Sequence, residues 1–103
     1  MTTIRQRVEK GAAWLDRERP GWRDRIDLSN LDLGSGRHCV LGHEFEREAA
    51  NVWLSGFTYA LRIYKHSVNW DVEHGFCPST SRSGPLTRAW KVVIAIAKEK
   101  EKN

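Results

Sequence analysis

The last eighteen residues of the chain, Leu86 to Asn103, ask for more burial than one small core supplies. They read LTRAWKVVIAIAKEKEKN. Wound at 3.6 residues per turn, Leu86, Trp90, Val93, Ile94 and Ala97 share a face. Ala89, Val92 and Ile96 widen that face to roughly 200°, where a surface helix needs only about 100°. A helix this apolar is either wedged between two layers or shared with a partner. The expectation is that Leu86, Trp90, Ile94 and Ala97 face the protomer's own core. Ala89, Val92 and Ile96 then lie on the flank as an interaction site, closed by a second copy or by another protein. Val92-Val93-Ile94 also suits a strand, so helix and strand both stay open at that point.

A chain of 103 residues makes one domain, and 40% hydrophobic with 29% charged residues is the composition of a globular protein. The longest apolar run, Val92 to Ala97, is far shorter than the roughly 20 residues of a membrane span, so no membrane is expected. The opening MTTIRQRVEK has no apolar core of a secretory signal, which points to the cytoplasm. In that reducing setting Cys39 and Cys77 are expected to stay thiols. The net charge of +4 permits nucleic-acid binding but does not require it. Acids and bases alternate in RERPGWRDRID, HEFEREA and KEKEK, the pattern of a solvated surface.

Along the chain, Thr3 and Gln6 form a capping box for a first helix, with Ile4, Val8, Ala12 and Leu15 as its apolar stripe and Trp14 beside it. Pro20-Gly21 ends it. Trp22 and Ile26 mark a short helical turn, and IDLSNLDLG is an irregular apolar segment laid over the core. Gly34-Ser35-Gly36 is a turn with Ser35 as the next helix cap. From Cys39 the pattern places Leu41, Phe45, Ala49, Val52 and Trp53 on one side. Phe57, Ala60, Leu61 and Tyr64 continue on a rotated face, with a kink or break at Gly56. Val68 to His74 is a short helical turn closed by Gly75. FCPSTSRSGP is a polar loop before a final helix capped by Thr87 or Ser83. The fold class expected is all-α: a compact helical bundle over residues 1–97, with 98–103 a charged solvated tail.

No complete catalytic signature is present. HCVLGHEF begins like the cysteine-phosphatase pattern HCxxGxxR, but Phe45 stands where the phosphate-binding arginine belongs. Cys39, His43, His74 and Cys77 are the residue types of a zinc site, yet their spacing is not a standard one. The plainer reading is a half-buried cysteine near a solvent-facing histidine. Asp16, Asp24, Asp27 and Asp32 read as turn caps and arginine partners rather than as a converged acid–base pair. A helix-turn-helix would use the Gly56 break and expose Thr58, Tyr59, Arg62, Lys65 and His66, but the turn lacks the usual glycine spacing. The site expectation is therefore no catalytic residue, no cofactor and no metal.

WLD (Trp14 to Asp16), PGW (Pro20 to Trp22), IDLSNLDL (Ile26 to Leu33), CVLG (Cys39 to Gly42), HGF (His74 to Phe76) and LTRAW (Leu86 to Trp90) follow one another in fixed order. As a set they resemble small accessory proteins of actinobacteriophages, mycobacteriophages especially. The resemblance covers most of the chain and brings no functional residues with it. It implies expression in a bacterial host cytoplasm and an accessory or host-modulating role. The final helix of that group is more charged, so the apolar KVVIAIA raises a partner question particular to this chain. The function expected is non-enzymatic, through contact with itself or with a bacterial host protein. The alternative is a nucleic-acid-binding module.

Overall fold

The structure, a computed structural model, describes residues 3–35, 37–65, 67–77 and 83–101. The order is α1 (Ile4–Glu18), a 3₁₀ turn (Trp22–Arg25), α2 (Val40–Glu44), α3 (Glu46–Ala50), α4 (Gly56–Tyr64), α5 (Trp70–Glu73) and α6 (Ser83–Glu101). The fold is all-α, with no strand among the described residues. Val92 to Ile94 lie inside α6. Residues 1–2, Gly36, His66, residues 78–82, on which part of the expected polar loop falls, and residues 102–103 lie outside the described residues.

Two layers meet at one core. The first holds α1, α5 and α6, with α1 packed on both of the others. The second holds α2 and α3, both packed on α4. Trp14 bridges them: its indole meets Tyr64 of α4 edge-on at 5.0 Å and Trp70 of α5 at 5.1 Å. Trp22, Phe76 and Trp90 fill the centre and are fully buried with Leu15, Leu41 and Ile94. Burying such side chains drives folding, at about 1.5–3 kcal/mol each for the aliphatic and Phe members.

α1 starts on the expected capping box, Thr3 Oγ1 accepting from Gln6 N and Gln6 Oε1 from Thr3 N. It stops at Glu18, ahead of Pro20 and of Gly21 at φ 81°. The segment after the 3₁₀ turn is irregular, with Leu31 and Leu33 buried. Its anchor is a long-range bond, Leu33 N–H donating to Thr87 Oγ1 at 2.9 Å. Thr87 therefore sits within α6 and holds a neighbour rather than capping the helix. Ser83 is already the first residue of α6.

Gly56 does separate two helices. A Cβ there would run into the Gly42 carbonyl and Cα, so α2 and α4 approach at backbone contact. A further break falls at Phe45, between α2 and α3. These breaks turn the chain away from the single helical face expected across residues 41–53. Val52 is left half exposed and Trp53 is 95% exposed, at φ 61°. α3 ends at Ala50 and Trp53 then takes the left-handed region, so neither residue continues a helical face over the core.

Three other expectations are corrected. Cys39 itself caps α2, its Sγ accepting from Gly42 N at 3.2 Å, while Ser35 Oγ accepts from Arg37 N and His38 N one turn earlier. Phe76, assigned to a polar loop, is a core residue stacked on Trp90 at 5.7 Å. The charged end is not separate from the helix, because α6 runs on through Lys98 and Glu99 to Glu101.

Candidate functional site

α6 divides cleanly into two faces. Leu86, Trp90 and Ile94 are buried against the core, while Val93 and Ala97 are half-buried at its edge. Val92 and Ile96, one helical turn apart, stay 46% and 40% exposed. Ala89 beside them is half-buried. Trp90 explains why the helix cannot roll these residues inward. Its ring packs on Trp22 edge-on at 5.8 Å and on Phe76, and its Nε1–H is held by the Gly75 carbonyl. Arg88, Ala95 and Glu99 are also exposed, and sequence reasoning passed over all three. The signal was available in the spacing 88-92-95-99, a four-three-four step of one helix face.

The charged runs RERPG and HEFEREA are more than a solvated surface. Glu44 is buried and binds two arginines. Arg19 Nε donates to Glu44 Oε1 at 2.9 Å, and Arg25 donates from Nε and Nη2 at 2.7 to 3.1 Å. Arg19 also reaches Glu48 at 2.6 Å and lies over the Phe45 ring at 4.5 Å. Burial works against the Arg19 charge, but the hydrogen bonds to Glu48 and Glu44 outweigh it and hold the guanidinium above its ordinary value. Burial likewise raises Glu48, but the bond and charge of Arg19, its own backbone N–H and the charge of Arg25 together outweigh it, and the carboxyl ends below the ordinary range. This clasp ties the end of α1 and the 3₁₀ turn to α2 and α3. It lines a cleft of about 640 Å³ together with His43 and Arg47.

The candidate zinc ligands are dispersed. Cys39 and Cys77 border one small cavity of about 260 Å³ with Leu33, Phe57 and Phe76. His43 instead lines the clefts beside the clasp, its Nδ1 within 3.0 Å of the Cys39 carbonyl. His74 is buried, with Nδ1 2.7 Å from the Trp70 carbonyl and its ring stacked parallel to Phe76 at 6.0 Å. Among the described residues no group of three His, Cys, Asp or Glu side chains is placed to hold a metal ion. The picture of a half-buried cysteine near a solvent-facing histidine also fails, since Cys39 is fully buried. Burial pushes its thiol up to about 11, the opposite of the shift a cysteine nucleophile needs.

Three of the four candidate aspartates are spent locally. Asp16 accepts from Trp22 Nε1 and from Arg23, Asp27 from Ser29 and Asn30, and Asp32 from Gly34 N. Thr58 and Arg62 of α4 are exposed, as is Lys65 just past its end, with Lys65 Nζ drawn to Asp71 at 3.7 Å. Tyr59 is instead half-buried and tilted against Phe45 at 6.2 Å. No helix among the described residues is long and apolar enough to cross a membrane. Compared with family models, curated proteins and solved structures, the chain matches none.

Proposed function

We propose that this is a non-enzymatic protein that acts by protein–protein contact, using the outer face of α6 to hold a second copy or a bacterial host protein. One observation carries the reading: Val92 and Ile96 remain about half exposed on a helix whose opposite face is locked into the core. Exposed branched side chains one turn apart gain by being covered. The resemblance of the motif order to small actinobacteriophage proteins is what suggests an accessory or host-modulating role in the host cytoplasm.

The test compares the parent with a Val92→Glu, Ile96→Lys double variant by light scattering and by affinity capture from bacterial lysate. Circular dichroism checks the fold of both. The expected result is a folded variant that loses association or a captured protein. Equal mass and identical captured proteins in the two samples would sink the reading.

A second reading, binding of nucleic acid, rests on Thr58 and Arg62 standing exposed on one face of α4, with Lys65 exposed just past its end. Binding to arbitrary DNA that falls steeply with added salt would favour it.

A further inference from the structure

The outer face of α6 carries more order than two exposed apolar residues. At 100° per residue, Arg88, Ala89, Val92, Ala95, Ile96 and Glu99 all lie within about 60° of Val92. Trp90 and Ile94, both fully buried, lie about 160° away, on the opposite side. The exposed face therefore has branched apolar side chains at its centre, alanines beside them, a cation toward one end and an anion toward the other. Arg88 and Glu99 are exposed, and among the described residues neither has an ion-pair partner within its own chain. The steps 88-92-95-99 and 89-92-96-99 are those of a helix seam that packs against another helix.

We infer that this face pairs with the same face of a second copy, α6 against α6 in antiparallel register, with Val92 packed on the partner's Ile96 and Arg88 beside the partner's Glu99. The inference rests on the reading of α6 as the contact face and names its occupant. The charges choose the direction. In parallel register Arg88 would meet the partner's Arg88, and Glu99 the partner's Glu99, both repulsive. In antiparallel register, with Val92 level with the partner's Ile96, Arg88 and the partner's Glu99 are offset by one residue, about 1.5 Å along the axis. The two-fold axis repeats that pair at the other end, so one surface satisfies itself. Ala89 and Ala95 keep the flanks of the seam small and let the backbones approach. Lys91 and Lys98 sit at the edge of this face, half-buried on their own protomer.

Charge reversal tests this directly on the full chain. Sedimentation equilibrium is run on the parent, on Arg88→Glu, on Glu99→Arg and on the double reversal, with circular dichroism as the fold check. The parent is expected to form a concentration-dependent dimer. Each single reversal is expected to weaken it tenfold or more, and the double reversal to recover most of the loss. A double reversal as weak as the singles overturns the register, and a parent that stays monomeric overturns self-pairing altogether. In the monomeric case, a lysate protein captured by the parent and lost in Val92→Glu, Ile96→Lys would leave the α6 contact reading standing without the dimer. Loss of both dimer and capture would remove both.

Discussion

The indole Nε1–H of Trp90 donates to the carbonyl of Gly75 at 2.6 Å, across fifteen residues of chain. Gly75 turns through φ 70°, in the left-handed region that favours glycine, and a Cβ there would crowd the Val8 backbone at about 3.0 Å. That one bond places the end of α5, the middle of α6 and the middle of α1 together. Trp90→Ala is expected to cost about 3–5 kcal/mol in denaturant unfolding, and Trp90→Phe, which keeps a ring but strands the carbonyl, about 1–2 kcal/mol. A loss below about 1 kcal/mol for the alanine variant would mean that α6 is not docked.

Removing Glu44 leaves Arg19 and Arg25 without their shared acceptor. Both arginines are partly exposed and can turn to water, which limits the loss. Glu44→Ala is expected to destabilise by about 2–3 kcal/mol, at the low end for a broken buried pair. Glu44→Gln keeps acceptor and shape and is expected to lose less. Equal losses in urea unfolding would show that charge, and not hydrogen bonding, holds the clasp.

Burial lowers the His74 pKa from its ordinary 6.5, Lys10 and Arg17 lower it further, and the Trp70 carbonyl and Glu73 oppose them. Above about pH 7 the ring is neutral both folded and unfolded, and its contribution is fully present. As pH falls through about 6.5 the unfolded chain takes the proton first, so stability is lost until the folded ring also protonates. Unfolding midpoints are expected to fall between about pH 7.5 and 5.5 in the parent, and less steeply in His74→Gln. Parallel slopes would assign the acid sensitivity elsewhere.

The two thiols are expected to differ sharply toward iodoacetamide. With its thiol near 11, Cys39 is a thiolate in only about one molecule per thousand at pH 8, and its sulfur is sealed in the core. Cys77 is partly exposed. Mass spectrometry of the native protein is expected to show one prompt alkylation, at Cys77, with Cys39 following only on unfolding. Cys39→Ser is expected to leave association unchanged, since that thiol packs and caps a helix.

Trp53 holds a left-handed backbone with its ring almost wholly in water. Trp53→Gly relieves the backbone without emptying any core space, and is expected to raise stability by up to about 1 kcal/mol. A destabilised variant would show that the ring packs on something in solution.

Most of what a short stretch of chain decides was readable. The capping box at Thr3, the stop at Pro20-Gly21, the Gly75 closure and the two faces of α6 each depend on residues within a turn or two of one another. The readings that failed concern residues whose surroundings come from far away. Phe76 follows a turn and precedes polar residues, yet Trp90 and Trp70 bury it. Glu44 sits in a charged run, yet its partners arrive from residues 19 and 25. Val52 and Trp53 continue a helical spacing, yet the chain breaks at Phe45 and turns left-handed at Trp53 itself, so spacing no longer reports their side.

The sequence by itself determined the helices and the apolar width of α6, because backbone hydrogen bonding and side-chain periodicity are local. It also placed Val92 and Ile96 off the core stripe, since a helix turns 100° per residue whatever surrounds it. Only the tertiary structure decided how many layers cover α6. Trp90, fixed by Trp22, Phe76 and Gly75, sets the helix rotation. α1 and α5 then pack in the first layer while α2, α3 and α4 fill the other, and Val92 and Ile96 are left in water. Exposure is set by what long-range packing brings alongside, and no pattern within α6 carries that information.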